Sequence, residues 1–183
     1  MKVTRVFGRA NKDTFSCKPI GEFVHKHLNN FTTPRGTIIT RPISVDPFAR
    51  NKDWFTYTND LNPDTSALYH LDAEDFLVLL SDQGITAQIG IIDPPYSPRQ
   101  ISESYKGFGK TVTKEDTQNA RLYKRVRDAM DKIIPVGGVV LSFGWNSNGM
   151  GKTRGYEIEE IMLVAHGSAH QDTICMAERK HLI

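Results

Sequence analysis

Short apolar runs alternate with polar segments along the chain, and their spacing predicts strands alternating with helices. A first helix is predicted after Pro19, where apolar residues recur at helical spacing through Leu28. Further helices are predicted from 72 to about 80 and through 122–130, and strands at 38–39, 43–45, 53–58, 86–92, 138–143, 156–167 and 172–180. This alternation favours an α/β fold in which helices cover both faces of a mostly parallel sheet.

Acidic residues stand at the ends of three of the predicted strands. These residues are Asp46, Asp60 and Asp93, and a fourth acid, Asp72, begins the second helix. Each alone could cap a helix or close a turn. In a parallel sheet, however, ligands bind at the carboxyl ends of the strands, so three such acids would converge on one edge.

Composition adds limits to this picture. The chain has 183 residues, of which 39% are hydrophobic and 24% charged, which suits a single domain spanning 1–183. No apolar run approaches the roughly 20 residues of a membrane span, and the first residues lack a signal-peptide pattern. A cytoplasmic protein without a membrane partner is therefore expected. Cys17 and Cys175 stand in unrelated contexts and are interpreted as reduced and structural.

The segment "IIDPPY" (91–96) leaves a predicted buried strand through two prolines. Pro94 holds Asp93 extended, and neither proline has an N–H, so the carbonyls of Asp93 and Pro94 remain as rigid acceptors. The Asp93 carboxylate adds a further acceptor and Tyr96 adds a flat face. Such a site suits a planar ring that bears an amino group. The alternative is a plain Pro-Pro turn.

"DPPY" resembles the catalytic motif of S-adenosylmethionine-dependent methyltransferases that modify exocyclic amino groups, chiefly of adenine in DNA. "SVDPFARN" (44–51), "TNDLNP" (58–63) and "YHLDAEDFL" (69–77) resemble that family's three cofactor motifs, and "TFSCKPIGEFV" (14–24) its cofactor-closing segment. The resemblance covers almost the whole chain and is greatest to small phage and prophage methylases that lack a target-recognition domain. It implies a Rossmann-like class I methyltransferase fold in which 1–35 closes over the cofactor.

The resemblance also implies roles for individual residues. Asp93, Pro94, Pro95 and Tyr96 would be catalytic, with Asp93 and the Pro94 carbonyl accepting hydrogen bonds from the target amino group and Tyr96 stacking on the base. The cofactor S-adenosyl-L-methionine would be bound by Lys18, Pro19, Asp46, Phe48, Asp60, Asp72, Ala73 and Asp93. Among these, Asp46 and Phe48 would line its methionine end, Asp60 would accept hydrogen bonds from the ribose hydroxyls, and Asp72 and the Ala73 N–H would bind its adenine.

Two features depart from the family pattern. The first cofactor motif lacks its usual glycines, so side chains could narrow the pocket, or Asn51 could adopt the left-handed conformation of a glycine. The chain also lacks a recognition domain. Loop 97–119 is either a mobile surface loop or a substrate clamp that contacts phosphates. The substrate-binding residues predicted in addition to Tyr96 are Arg99, Lys106, Lys110, Trp145 and Asn146.

Two look-alike motifs are discounted. "NSNGMGKTRG" (146–155) lacks the first glycine of a P-loop, and His166 and His170 flank a turn rather than sharing a helical face, so no metal is expected.

The resemblance thus implies an adenine-specific methyltransferase in the bacterial host cytoplasm, encoded by a phage or prophage. Its partner would be double- or single-stranded DNA, and a homodimer or a partner subunit could aid target recognition. Methylation of RNA or of cytosine amino groups remains open. So does a protein of the same fold that binds cofactor or nucleic acid with weak or no turnover.

Overall fold

The computed structural model describes residues 1–11, 13–94, 119–167 and 170–182. The helices are α1 (Lys18–Asn29), α2 (Ala73–Asp82) and α3 (Asn119–Ile133). The strands are β1 (Lys2–Phe7), β2 (Phe31–Thr32), β3 (Ile38–Ile39), β4 (Ser44–Asp46), β5 (Tyr57–Thr58), β6 (Ile89–Ile92), β7 (Val139–Gly144), β8 (Tyr156–Ala165) and β9 (Thr173–Lys180).

Seven strands form one twisted sheet in the order β1-β8-β9-β7-β6-β4-β5, and β2 and β3 form a separate antiparallel pair. The neighbours β1–β8, β7–β6, β6–β4 and β4–β5 are parallel, whereas β9 is antiparallel to both β7 and β8. The prediction of a mostly parallel sheet is therefore confirmed. Because β5 and β6 lie on opposite sides of β4, the order of strands reverses at β4 and opens a crevice there.

Alternation along β6 separates two hydrophobic clusters. Ile89 and Ile91 face the cluster that contains α1, whereas Ile92 faces the cluster that contains α2 and α3. Helices thus cover both faces of the sheet, as the sequence predicts. Gly90 lies under α3, where an added Cβ would be 2.6 Å from the Met130 sulfur. The absence of a side chain at Gly90 therefore lets α3 pack close to β6.

The second helix begins where the sequence predicts. Asp72 is its N-cap, and the Asp72 carboxylate accepts a hydrogen bond from the Glu74 N–H at 3.0 Å. The predicted strand 53–58 is much shorter than expected, since only Tyr57 and Thr58 pair with β4. The residues before them turn instead, and Phe55 fills the cluster beside α1.

No element was predicted over the first residues of the chain, but β1 lies there and extends the sheet beyond β8. None of its side chains is fully buried, and the apolar Val3 and Phe7 lie on the exposed side, so the sequence of β1 shows no clear alternation of apolar and polar residues. None of the helices in the described ranges is long and apolar enough to cross a membrane.

Candidate functional site: an acidic crevice and an adjoining pocket

The three strand-end aspartates lie at the carboxyl edge of the parallel strands. Asp46 is the last residue of β4, Asp93 follows β6 directly, and Asp60 comes two residues after β5. β4 lies between the other two strands, so Asp46 is central, beside the crevice opened by the reversal of strand order. Both Asp93 and Asp60 act electrostatically on the Asp46 carboxyl. The fold thus gathers the three predicted carboxylates at one place.

Asp46 is fully buried. Its Oδ1 accepts a hydrogen bond from the Phe48 N–H at 2.9 Å, while Oδ2 is buried without a hydrogen-bond partner among the described residues. Burial raises the pKa of the Asp46 carboxyl well above its usual range, and the nearby charges of Asp93 and Asp60 raise it further. A cationic group entering the crevice would satisfy Oδ2 and favour the ionised carboxylate.

The Asp60 carboxylate organises the loop that follows β4. Its Oδ2 accepts a hydrogen bond from the Arg50 N–H at 3.1 Å, and its Oδ1 accepts one from the Asn62 N–H at 2.9 Å. Each carboxylate oxygen has a further lone pair, so Asp60 can still accept hydrogen bonds from a ligand.

The hypothesis that Asn51 replaces the missing glycine is wrong. Arg50, one residue earlier, has the positive φ of 52°, and it is the one non-glycine residue with positive φ in the described ranges. The Arg50 N–H is the group that donates to Asp60. Asn51 instead uses its side chain, whose Oδ1 accepts a hydrogen bond from the Ser66 N–H at 2.9 Å.

Asn59 is a buried polar residue that the sequence reasoning missed. Its Nδ2 donates to the carbonyls of Pro47 at 3.1 Å and Leu71 at 3.0 Å, and its Oδ1 accepts from the Leu71 N–H at 2.9 Å. One amide therefore ties together the loops that carry Asp46 and Asp72. The sequence did offer one indication of this role, since Asn59 stands directly before Asp60 at the end of a strand.

Other predicted cofactor residues occupy the surroundings of the crevice. Phe48 packs against the cluster beside α2, and Ala73 is buried at the start of that helix. Pro19 stands in the first turn of α1, next to Lys18. Lys18 is exposed, and its ammonium lies 3.8 Å from the Glu22 carboxylate on the same helix.

The predicted closing segment is fastened to the loop after β4. The Lys52 ammonium lies 2.9 Å from the Asp13 carboxylate and donates to the Ser16 hydroxyl at 3.2 Å. The Phe15 ring stacks on Trp54 with a centroid separation of 6.0 Å. Residues 13–16 are thereby held against the loop that carries Arg50.

A pocket with about 430 Å³ of empty space lies at the carboxyl ends of β6 and β7, beside Ile92. Trp145 and Asn146, which the sequence predicts as substrate-binding, line it. Tyr123 and Arg127 of α3 and Ser142 of β7 also line it and were not predicted. Arg127 follows Tyr123 by four residues on α3, but one sequence could not show that this face borders a pocket.

The glycines of the P-loop look-alike surround a carboxylate of the protein itself. Glu178 is buried and accepts hydrogen bonds from the N–H groups of Met150 at 2.6 Å and Gly151 at 3.1 Å. A Cβ on Gly149 would lie 2.0 Å from a Glu178 oxygen. His166 is likewise structural, since its ring nitrogens are 2.7 Å from the Gly8 carbonyl and 2.9 Å from the Thr173 hydroxyl.

Of the predicted catalytic corner, Asp93 and Pro94 belong to the described chain, with Asp93 partly exposed and Pro94 buried. The remaining predicted residues of the corner and loop lie outside it; these are Pro95, Tyr96, Arg99, Lys106 and Lys110.

No protein-family model and no curated protein matches this sequence. Solved structures do match it. NSun6 from Pyrococcus horikoshii, crystallised with SFG, is 15% identical with a TM-score of 0.51, and the match covers 78% of this chain and 48% of that one. SMU.776, provisionally assigned as a methyltransferase and crystallised with SAH, is 11% identical with a TM-score of 0.56, covering 86% and 48%.

The chain therefore spans about half the length of each of these structures. At such low identity the likeness concerns the fold alone. Together with the strand order, it confirms the predicted Rossmann-like class I methyltransferase fold.

Proposed function

We propose that this chain is an S-adenosylmethionine-dependent methyltransferase that modifies the exocyclic amino group of adenine in DNA. The observation that carries the proposal is the buried Oδ2 of Asp46, which has no hydrogen-bond partner among the described residues and lies near Asp60 and Asp93 at the reversal of strand order. A cationic ligand suits this crevice, and S-adenosylmethionine carries both a sulfonium and an ammonium group. SFG and SAH, present in the two matched structures, are analogues of that cofactor.

The residues around the crevice fit this cofactor. Asp46 and Phe48 would hold its methionine end, and Asp60 retains the lone pairs needed to accept hydrogen bonds from a ribose diol. Asp72 uses one carboxylate oxygen, Oδ1, to cap α2. Its other oxygen would accept from the adenine amino group. When bound, the cofactor supplies an activated methyl group, so no covalent intermediate with the protein is required.

Asp93 and Pro94 would act on the amino group that receives the methyl. That nitrogen is a weak nucleophile because its lone pair is delocalised into the ring. The Asp93 carboxylate and the Pro94 carbonyl would accept its two hydrogens, which favours a pyramidal nitrogen and stabilises the positive charge that develops. The base would have to leave a duplex or arrive single-stranded. Stacking on Tyr96 follows from the family resemblance.

The choice of DNA and adenine rests on the "DPPY" resemblance, so RNA and cytosine amino groups remain the alternative acceptors within this class. The left-handed backbone conformation at Arg50 favours a second candidate function. Because a side chain occupies the left-handed position after the first strand of the site, cofactor affinity could be lower than in glycine-containing relatives. The second candidate is accordingly a protein that binds cofactor or nucleic acid with little turnover.

The test is transfer of a radiolabelled methyl group from S-adenosylmethionine to unmethylated DNA and to RNA, followed by nucleoside analysis. Asp93→Ala should abolish transfer, whereas Asp82→Asn, at an exposed acid of α2, should not. Label in methyladenine of DNA supports the proposal. Label in RNA or in methylcytosine would show that RNA or a cytosine amino group is the acceptor instead. Cofactor binding without label would favour the binding protein, and full activity of Asp93→Ala would refute the assigned role.

A further inference from the structure

Arg127 presents a preorganised cation to the pocket beside β6 and β7. It projects from α3, and its guanidinium lies over the Tyr123 ring at 5.6 Å from the centroid. A guanidinium stacked on an aromatic ring keeps its planar set of donors free in the ring plane. Ile92, which also lines the pocket, immediately precedes Asp93, so the pocket adjoins the proposed acceptor site.

No carboxylate in the described part of the chain is hydrogen-bonded to Arg127. Its Nε is buried without a hydrogen-bond partner among those residues. Asp128 and Glu178, two acids that act electrostatically on Arg127, are engaged elsewhere. Asp128 binds Arg154 through Oδ1 and Lys124 through Oδ2. Glu178 binds backbone N–H groups through both of its oxygens.

This arrangement is unfavourable for the protein alone. A partly buried cation without a paired anion loses hydration and gains little in return. Burial accordingly lowers the pKa of Arg127, and the charge of Arg154 lowers it further. Ser142 adds a second unused polar group in the same pocket, because its buried Oγ has no partner within the described ranges.

We infer that Arg127 and Ser142 form a phosphate-binding subsite that holds one phosphodiester group of the nucleic-acid strand carrying the methyl acceptor. A guanidinium matches two phosphate oxygens, and a hydroxyl donates to a third. Trp145 lies on the rim with 41% of its surface exposed, where a neighbouring base could stack. The inference deepens the proposed function and rests on it for the nature of the strand.

The first test measures binding of a labelled 12-nucleotide single strand by fluorescence anisotropy between 50 and 200 mM salt, without cofactor. Arg127→Gln should weaken binding at least about fivefold and reduce the salt slope by about 0.7, the value for one phosphate contact on a single strand. Lys132→Gln, on an exposed residue of the same helix, removes the same charge and should change neither quantity. Equal slopes in wild type and Arg127→Gln, or no binding by wild type, would overturn the inference.

A second measurement separates a strand phosphate from free phosphate. Because Arg127 makes no side-chain hydrogen bond to another residue of the described ranges, Arg127→Gln should fold, and without ligand it should melt no lower than wild type. If it does not fold, Ser142→Ala replaces it in the anisotropy assay, where a twofold or greater loss is expected and no loss would refute the subsite. Inorganic phosphate that stabilises wild type but not the variant, without strand binding, would reassign the pocket to a small phosphorylated ligand and overturn the inference.

Cofactor affinity, measured by calorimetry in the same variants, distinguishes failure of the subsite from failure of the proposed function. Arg127→Gln should bind S-adenosylmethionine as wild type does. If wild type transfers methyl groups and Arg127→Gln has the same salt slope as wild type, the subsite is refuted and the proposed enzyme is not. If wild type binds the strand through Arg127 but transfers no methyl group, the proposed enzymatic function is refuted and the subsite is not.

Discussion

Replacing Gly149 by alanine should destabilise the protein much more than the positive φ of this residue alone would predict. Gly149 has a φ of 32°, and its missing side chain leaves room for Glu178. A Cβ there would lie 2.0 Å from the Glu178 Oε2, which accepts from the Met150 N–H at 2.6 Å. To restore an ordinary contact, the oxygen would have to move by about 1 Å or more, which breaks that hydrogen bond.

The magnitude follows from two contributions. A hydrogen bond to a buried carboxylate contributes about 2 kcal/mol, and a left-handed alanine costs about 1 kcal/mol relative to glycine. Gly149→Ala should therefore lower the free energy of unfolding by about 3 kcal/mol in urea titrations. Gly84 supplies the matched control, because it has a φ of 71° and no atom within 4 Å of an added Cβ. Gly84→Ala should cost only about 1 kcal/mol.

A double-mutant cycle tests the mechanism directly. In a Glu178→Ala background the obstructing carboxylate is absent, so Gly149→Ala should cost about 1 kcal/mol instead of about 3. Equal costs for Gly149→Ala and Gly84→Ala, or the same cost with and without Glu178, would show that the carboxylate does not explain this glycine.

Substitutions at three further positions address the crevice and the helix α1. Arg50→Val should destabilise by about 1 kcal/mol in urea titrations and Arg50→Gly should not, because β-branched residues tolerate positive φ poorly; equal stabilities would contradict this. Burial and the neighbouring Lys26 lower the pKa of His27 from 6.5 to about 4. The unfolded chain therefore binds the proton first, and wild type should lose up to about 3 kcal/mol as the pH falls from 6.5 to 4. His27→Phe should flatten this loss, measured by urea unfolding at both pH values, and an unchanged pH profile would exclude His27. The pH dependence due to Asp46 has the opposite sign, because its raised pKa lets the folded state hold the proton more tightly than the unfolded chain does. Asp46→Asn should therefore raise the free energy of unfolding at pH 7, and this gain should shrink as the pH falls. A gain that does not change with pH would contradict the assignment.

The parts of the fold that periodicity determines could be predicted from the sequence. The apolar runs at 89–92 and 139–144 are buried strands, and Asp72 caps the helix that follows it. These elements depend on local spacing and on local hydrogen bonds, which one sequence contains. The gathering of Asp46, Asp60 and Asp93 also followed, because parallel strands place their carboxyl ends at one edge.

Features that depend on contacts between distant segments could not be predicted. None of the side chains of β1 is fully buried, and its place in the sheet depends on pairing with β8. The hydrogen-bond partners of Asn59 are 12 residues away in the chain on both sides. Arg127 becomes part of a pocket only because α3 and β7 line the same space. Residue preference allows Asn51 as the left-handed residue, whereas the structure has the positive φ at Arg50, whose N–H donates to Asp60.

The parallel pairing of β1 with β8 has a consequence for synthesis on the ribosome. Lys2 lies opposite Glu160, so β1 cannot join the sheet until the residues of β8 have been translated. At about 5–20 residues per second, β1 waits for roughly 10–30 seconds as an unpaired segment. During that interval the backbone of β1 and Val6, which packs against the cluster beside α1 in the folded protein, have no sheet beside them. The nascent chain should therefore carry a chaperone-accessible amino-terminal segment that disappears only when the β8–β9 hairpin forms.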